Sequence, residues 1–273
     1  MTLCGIVTTP GSPTARTDDR DVRQLTNSAM RTVVRSTGAA LVAGNAALAV
    51  ALLDDGLVFP AQWWARWVYP FLSLVGAGMV LLRAGVAPRR RAAWGIVGIG
   101  LLCSAIGDVL YSLTRFGEQI GSTGSLSDAL WLTSYPAFYA GMGLLVRAGT
   151  RHFHASMWLD GLAVALAFAA LSALALDVLL TDSRAQFVLL LSYPLADLTF
   201  TALVVGIWAA RGWEPTGFWA PLACAGVTNT VADTANLFMI ATGTFREDSP
   251  VNSLWSAAAL FVVIAAWRDV RDL

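Results

Sequence analysis

The sequence predicts an all-α integral membrane protein with eight transmembrane helices arranged as two parallel four-helix repeats. The first observation is composition: 56% of the residues are hydrophobic and 13% are charged, whereas soluble domains carry about 25% charge. The second is a series of apolar runs close to the length that crosses a bilayer. The third is a set of polar residues in the first half that recurs in the second. We therefore expect a multi-pass protein of the plasma membrane, with the lipid bilayer as a partner and no nucleic acid.

The N-terminal 36 residues differ from the rest of the chain. The stretch "TTPGSPTARTDDRDVR" is polar, and this segment contains neither a long apolar run nor the apolar core of a signal peptide. We expect residues 1–36 to form a disordered cytoplasmic tail. The two membrane repeats then occupy residues 37–150 and 151–267, and residues 268–273 begin a cytoplasmic linker.

Eight apolar segments qualify as transmembrane spans. Short connectors rich in glycine, proline and aspartate, such as "DDGLVFPAQ" and "TFREDSP", separate several of them. The predicted spans are Thr37–Leu53, Trp63–Leu82, Ala93–Leu113, Leu126–Val146, Met157–Leu180, Phe187–Ala210, Phe218–Ala241 and Val251–Trp267.

The distribution of arginine predicts the orientation of these spans. Fourteen of the eighteen basic residues, all of them arginines, lie in the N-terminal tail, at the C-terminus, or in the connectors after spans two, four and six. Because positive charge is enriched on the cytoplasmic side, both termini are predicted to be cytoplasmic. The arginines assigned to the opposite side are Arg66, Arg115, Arg184 and Arg246.

An internal repeat with an offset of 124 to 125 residues relates the two halves of the chain. Since each unit contains four spans, an even number, both halves enter the membrane from the same side, and an axis along the membrane normal relates them. The matching positions are Tyr69-Pro70 with Tyr193-Pro194, Trp94 with Trp219, Asp108 with Asp233, Asp128 with Asn252, and Trp131 with Trp255.

The repeated polar residues predict a ligand-binding cavity. Spans three and seven each carry an acid within a polar stripe on one helical face, and an aspartate at bilayer depth costs about 2.5–3.5 kcal/mol unless it faces the bundle interior or water. We expect the acids and aromatic residues to converge on the extracytoplasmic half, where kinks at Pro70, Pro136 and Pro194 open the helices and the prolines share the cavity. The candidate ligand-binding residues are Asp108, Tyr111, Asp128, Trp131, Tyr135, Tyr193, Asp197, Asn229, Asp233, Asn236 and Trp255.

A structural role is the alternative for the same residues. Buried aspartate, asparagine and tyrosine also join helices by hydrogen bonds worth about 0.6 kcal/mol each. No metal or cofactor is expected, because the three cysteines are far apart and the pair His152 and His154 gives too few ligands for a metal site.

A series of motifs resembles a known membrane module. In order, they are "IGDVLYSL", "SLSDALWLTSYPAFYAGMGLLVR", "WLDGLAVALA", "SYPLADLTFTALVVG", "VADTANLFMIATGTF" and "NSLWSAAALFVVIAAW". This series resembles the N-terminal membrane module of actinobacterial diguanylate cyclases and phosphodiesterases of the GGDEF/EAL type, over residues 37 to 267. The resemblance implies a sensor that relays a signal to cytoplasmic enzymes of cyclic di-GMP.

The chain departs from that family in having no GGDEF or EAL motif. We expect no catalytic domain in it, and therefore either a standalone or truncated input module or one that acts through a separate GGDEF/EAL output protein. A second copy of the chain, forming a homodimer, is a further expected partner.

Two other functions stay open. The segment "LLCSAIGDVL" with the second-half "VAD" resembles the paired intramembrane acids of lysoplasmalogenases, hydrolases in which two carboxylates act as acid and base. Repeated halves with acids near the midplane also fit a proton-coupled transporter.

Overall fold

The structure is a computed structural model in which all regular elements of the described residues are helical. Two compact units divide the chain, residues 1–40 and residues 41–273. Of the first unit, the structure describes the helical residues 14–40. The described residues are 14–55, 57–114, 116, 125–149, 184–214 and 217–269.

Seven long helices make up the described part of the chain. Six are long and apolar enough to cross a membrane, which makes this a multi-pass, membrane-type helical protein. The exception is the helix Trp219–Ala241, in which asparagine, threonine and aspartate side chains lower the mean hydropathy. The helices are α1 (Thr14–Leu53), α2 (Ala61–Val86), α3 (Arg91–Thr114), α4 (Leu126–Gly149), α5 (Arg184–Ala210), α6 (Trp219–Ala241) and α7 (Val251–Arg268).

Seven of the eight predicted spans lie within these helices, except that α6 begins one residue after its predicted span; the other six helices extend beyond their predicted spans. The fifth predicted span, Met157–Leu180, lies outside the described residues, as do His152 and His154. Of the predicted tail, residues 1–13 lie outside the described residues, and from Thr14 onward the chain is helical as part of α1. The sequence between Pro13 and Gly38 contains neither glycine nor proline, so nothing in it interrupts a helix.

Six helices of the second unit surround an internal space. Helix α3 packs between α2 and α4, and α6 packs between α5 and α7. Contacts of α7 with α2, and less extensive ones between α4 and α5, close the ring. Each of the six helices therefore presents one face to a common interior.

The prolines behave differently from the prediction. Immediately before Tyr69-Pro70, helix α2 contains a π-helical turn, Trp64–Val68, which accommodates the missing N–H and the bulk of the proline ring. Pro70 and Pro194 are buried, but Pro136 is exposed. None of the three lines the cavity. The expectation that the prolines share the cavity is therefore wrong, and it is the tyrosine before each of them that lines it.

A buried ion-pair cluster joins the C-terminal end of α7 to α2 and α3. Asp269 accepts hydrogen bonds from Arg83 Nη2 at 2.9 Å, from Trp94 Nε1 at 2.9 Å and from Arg90. The Arg83 side chain is fully buried and also donates from Nε to the Ala266 carbonyl at 3.2 Å. We call these four residues, Arg83, Arg90, Trp94 and Asp269, the Arg83 cluster. It fixes the end of α7 against the α2–α3 connector.

Glycines allow α3 and α4 to approach closely. A Cβ atom at Gly141 would lie 2.5 Å from Val97 Cγ2 and 3.1 Å from the Ala93 carbonyl oxygen of α3. Two residues further along α4, a Cβ atom at Gly143 would meet nothing within 4 Å. Close packing of α3 against α4 therefore depends on the absence of a side chain at position 141.

We expect Gly141→Ala to destabilise the protein by about 1–3 kcal/mol, because overpacking of this size forces the helices apart. Gly143→Ala is the matched control on the same helix and should leave stability unchanged or raise it slightly. Thermal unfolding of both purified variants in detergent measures the difference. Equal midpoints for the two variants would contradict the described α3–α4 crossing.

Candidate functional site

A cavity of about 330 Å³ lies inside the second unit, lined by residues of α2 to α7. All eleven residues singled out from the sequence line this one cavity. The structure thus brings the candidates together, while binding of a ligand by them stays a prediction.

Two aspartate–tryptophan pairs stand on different helices around the cavity. Trp131 Nε1 of α4 donates to Asp108 Oδ1 of α3 at 3.0 Å. Trp255 Nε1 of α7 donates to Asp233 Oδ1 of α6 at 2.5 Å. The Trp131 indole is able to lie this close to α3 because residue 107 is glycine. A Cβ atom at position 107 would lie 2.7 Å from Trp131 Nε1. Each pair joins two neighbouring helices and holds an indole against the cavity.

Hydroxyl groups complete the surroundings of these two acids. Asp108 is buried, and the hydroxyls of Tyr69 and Ser73 on α2 are within hydrogen-bonding reach of it. Tyr135 of α4 donates to Asp233 Oδ2 at 3.3 Å. Asp233 is half-buried, and as a lining residue it faces the cavity. Three helices therefore contribute to the environment of each acid.

A third acid, Asp197 of α5, is close to Asp233. Its Oδ1 accepts a hydrogen bond from Asn229 Nδ2 of α6 at 2.8 Å. Its Oδ2 is buried and receives no hydrogen bond, while the Tyr135 hydroxyl and the carboxyl group of Asp233 lie close to this side chain. Asp197 and Asp233 thus form a neighbouring acid pair, which the repeat, relating Asp108 to Asp233 as equivalent positions, did not predict.

Asp128 has a structural role that the prediction missed. Its Oδ2 accepts from the Ser125 backbone N–H at 2.8 Å and from the Ser125 hydroxyl at 2.6 Å, and its own backbone N–H donates to that hydroxyl at 3.1 Å. This reciprocal pattern is a capping box at the start of α4. The Tyr193 hydroxyl also donates to Asp128 Oδ1 at 3.0 Å. The signature "SLSD" was readable in the sequence.

Glu247 and Ser73 are two of the polar lining residues that were not among the candidates. Glu247, in the connector between α6 and α7, accepts a hydrogen bond from the Tyr111 hydroxyl at 3.0 Å, and no local pattern marks it. Ser73 was detectable, since it stands 124 residues before Asp197 and so occupies the equivalent position in the repeat. Asn236 lines the cavity with a buried Oδ1 that no donor reaches.

The site is rich in acceptors and aromatic rings. Its lining residues, within the part of the chain that the structure describes, include five carboxyl side chains and no arginine, lysine or histidine. Among the described residues, no group of three or more histidine, cysteine, aspartate or glutamate side chains is arranged to hold a metal ion. The arrangement is therefore suited to bind a small organic molecule or to hold protons.

Fold and site together define a multi-pass helical membrane protein with an internal cavity whose lining includes acidic and aromatic side chains. No family model matches the chain, and neither a curated protein nor a solved structure matches it.

We expect Trp131→Phe to lower the free energy of unfolding by about 1–3 kcal/mol, because it leaves the buried Asp108 carboxyl without its indole donor. Trp213→Phe is the control, since Trp213 is 54% exposed. A double-mutant cycle with Asp108→Asn, followed by thermal unfolding in detergent, isolates the pair. Additive effects of Trp131→Phe and Asp108→Asn would show that the hydrogen bond contributes nothing.

Proposed function

We propose that this chain is a membrane-embedded signal-input module that binds a small ligand in the cavity and relays its presence to a cytoplasmic cyclic di-GMP output. The observation that carries the proposal is the position of α7. One end of this helix supplies Trp255 to the cavity, and the other end leads to Asp269 in the Arg83 cluster. A single rigid element thus connects the ligand site with the C-terminal end of the described chain.

Helix α7 offers a physical route for the signal. Trp255 and Asp269 are fourteen residues apart, which is about 21 Å along a helix. A ligand that moves the indole of Trp255 must shift or rotate α7, and the packing of α7 against α2 resists a continuous deformation. A ligand that binds one packing of α7 better than another therefore changes the population of the two states.

The repeat architecture is part of the proposal. The two aspartate–tryptophan hydrogen bonds join residues that the sequence offset of 124 to 125 makes equivalent, α3 with α4 and α6 with α7. The order of packing, α2–α3–α4 and α5–α6–α7, is likewise the same in both halves. These matches support two four-helix repeats and a total of eight spans.

The proposed setting is the plasma membrane with both termini in the cytoplasm, supported by the distribution of arginine. The resemblance of the motifs to GGDEF/EAL membrane modules supports a GGDEF/EAL protein as the output partner. A second copy of the chain, forming a homodimer, is the other proposed partner.

We expect Trp255→Ala to alter the output of a diguanylate cyclase domain fused after Leu273. The change should be about twofold or more, since substitutions along a coupled network shift coupling by about 0.5–2 kcal/mol. Cellular cyclic di-GMP is the readout, and Phe238→Ala, at a residue of α6 that is 62% exposed, is the control. Output equal to that of the unsubstituted fusion would mean that α7 is only an anchor.

A hydrolase is the second candidate, favoured by the neighbouring carboxyl groups of Asp197 and Asp233. Two adjacent carboxyl groups with different surroundings are able to divide the roles of acid and base. The surroundings of these two acids differ, since Asn229 donates a hydrogen bond to Asp197 and Trp255 donates one to Asp233.

The two candidate functions differ in a direct assay. The input-module proposal predicts that purified protein does not hydrolyse lysoplasmalogen, as measured by release of the fatty aldehyde. The hydrolase alternative predicts turnover that falls by about a hundredfold or more in Asp197→Asn and in Asp233→Asn, as expected when an acid–base group is lost. If the unsubstituted chain hydrolyses lysoplasmalogen and both variants abolish this activity, the hydrolase alternative replaces the input-module proposal.

A further inference from the structure

The charge balance of the cavity points to the sign of its ligand. Asp108, Asp128, Asp197, Asp233 and Glu247 all line it, and none of the described lining residues is basic. The guanidinium of Arg66 is close to one lining residue, with its Cζ 5.4 Å from the centre of the Phe116 ring. A concave, low-dielectric site lined by groups of one sign concentrates counter-charged ligands.

One acceptor in this site lacks a partner. Asp197 is 4% exposed, its Oδ2 receives no hydrogen bond, and its neighbour is a second carboxyl group, that of Asp233. Asn236 adds a buried Oδ1 that also receives no hydrogen bond. Buried acceptors without donors are costly, so a ligand that supplies donors to these two lining residues gains free energy.

Aromatic rings also line part of the cavity. The Tyr135 and Tyr193 rings have centroids 6.5 Å apart, and those of Tyr69 and Trp255 are 6.4 Å apart. The faces of such rings attract cations, and the attraction grows when the cation is desolvated. Carboxylates and aromatic faces together are the surroundings that organic ammonium groups prefer.

We propose that the ligand of this cavity is an organic cation, an ammonium group carried on an apolar body, with the ammonium placed between Asp197, Asp233 and Asn236. This inference rests on the proposed function, because it names the chemical class of the ligand for the same site. The volume of about 330 Å³ is within the range of pockets for small organic molecules.

The test uses the purified full chain in detergent and two probes of nearly the same shape, phenethylamine and the neutral 2-phenylethanol. Isothermal titration calorimetry should show phenethylamine binding at least about tenfold more tightly, as expected for one charge-assisted hydrogen bond. Equal binding of both probes, or no binding of phenethylamine, would overturn the proposal. If phenethylamine does not bind, a proton shared between the carboxyl groups of Asp197 and Asp233 satisfies both of them without a ligand.

Two variants locate the binding. Asp197→Asn should weaken phenethylamine binding about tenfold or more, and Asn236→Leu should weaken it to a smaller extent. Since Asn236 Oδ1 receives no hydrogen bond in the unliganded chain, its removal should not lower the thermal unfolding midpoint, which separates a ligand contact from a structural one. Asp248→Asn is the control, because Asp248 pairs with the exposed Arg246. Unchanged affinity in both cavity variants would contradict the proposed placement.

The outcomes also separate this inference from the proposed function. If phenethylamine does not bind while Trp255→Ala still alters the output of the fused cyclase, the ligand class is wrong and the input module stands. If phenethylamine binds as described while the fused output ignores Trp255→Ala, the cation site stands and the signalling function falls.

Discussion

The rest of the structure depends on the burial of carboxyl groups among apolar helices. A carboxyl group removed from water is tolerated only when donors reach it. In this chain those donors come from other helices: a tryptophan of α4 meets Asp108, a tryptophan of α7 meets Asp233, and arginines beside the α2–α3 connector meet Asp269. Each acid therefore fixes one helix against another. Together these hydrogen-bonded pairs stabilise the ring of helices around the cavity.

The two ends of α7 satisfy this constraint to different degrees. At Asp269, Trp94 and two arginines surround the carboxylate, so that this end is firmly attached. At the cavity end, Trp255 contacts an acid whose neighbour, Asp197, has an oxygen with no donor. A site with a surplus of acceptors gains free energy from a ligand that supplies donors. Because of this difference, we propose that the signal begins with ligand binding in the cavity and is transmitted along α7 to its C-terminal end at Asp269.

Much of the fold was predictable from the sequence. Apolar runs of this length predict helices because a backbone in lipid must satisfy its own hydrogen bonds, and seven predicted spans coincide with helices of the structure. The start of α1 was not predictable from hydropathy, since the polar segment from Thr14 to Ser36 is helical without being apolar. The candidate site was also largely predictable, because acids excluded from lipid must face the interior, and all eleven candidates line the cavity.

Only the tertiary structure decided which of these residues meet. The repeat made Asp108 and Asp233 equivalent positions, but it did not predict that the fold places Asp197 beside Asp233 or gives Asp128 a capping role at the start of α4. It also brought Glu247 to Tyr111 across 136 residues of chain. The sequence by itself determined the membrane class and the set of residues that avoid lipid, since both follow from the transfer of individual side chains. Distances between side chains of different helices depend on helix rotation and crossing, which the packing of the whole bundle sets.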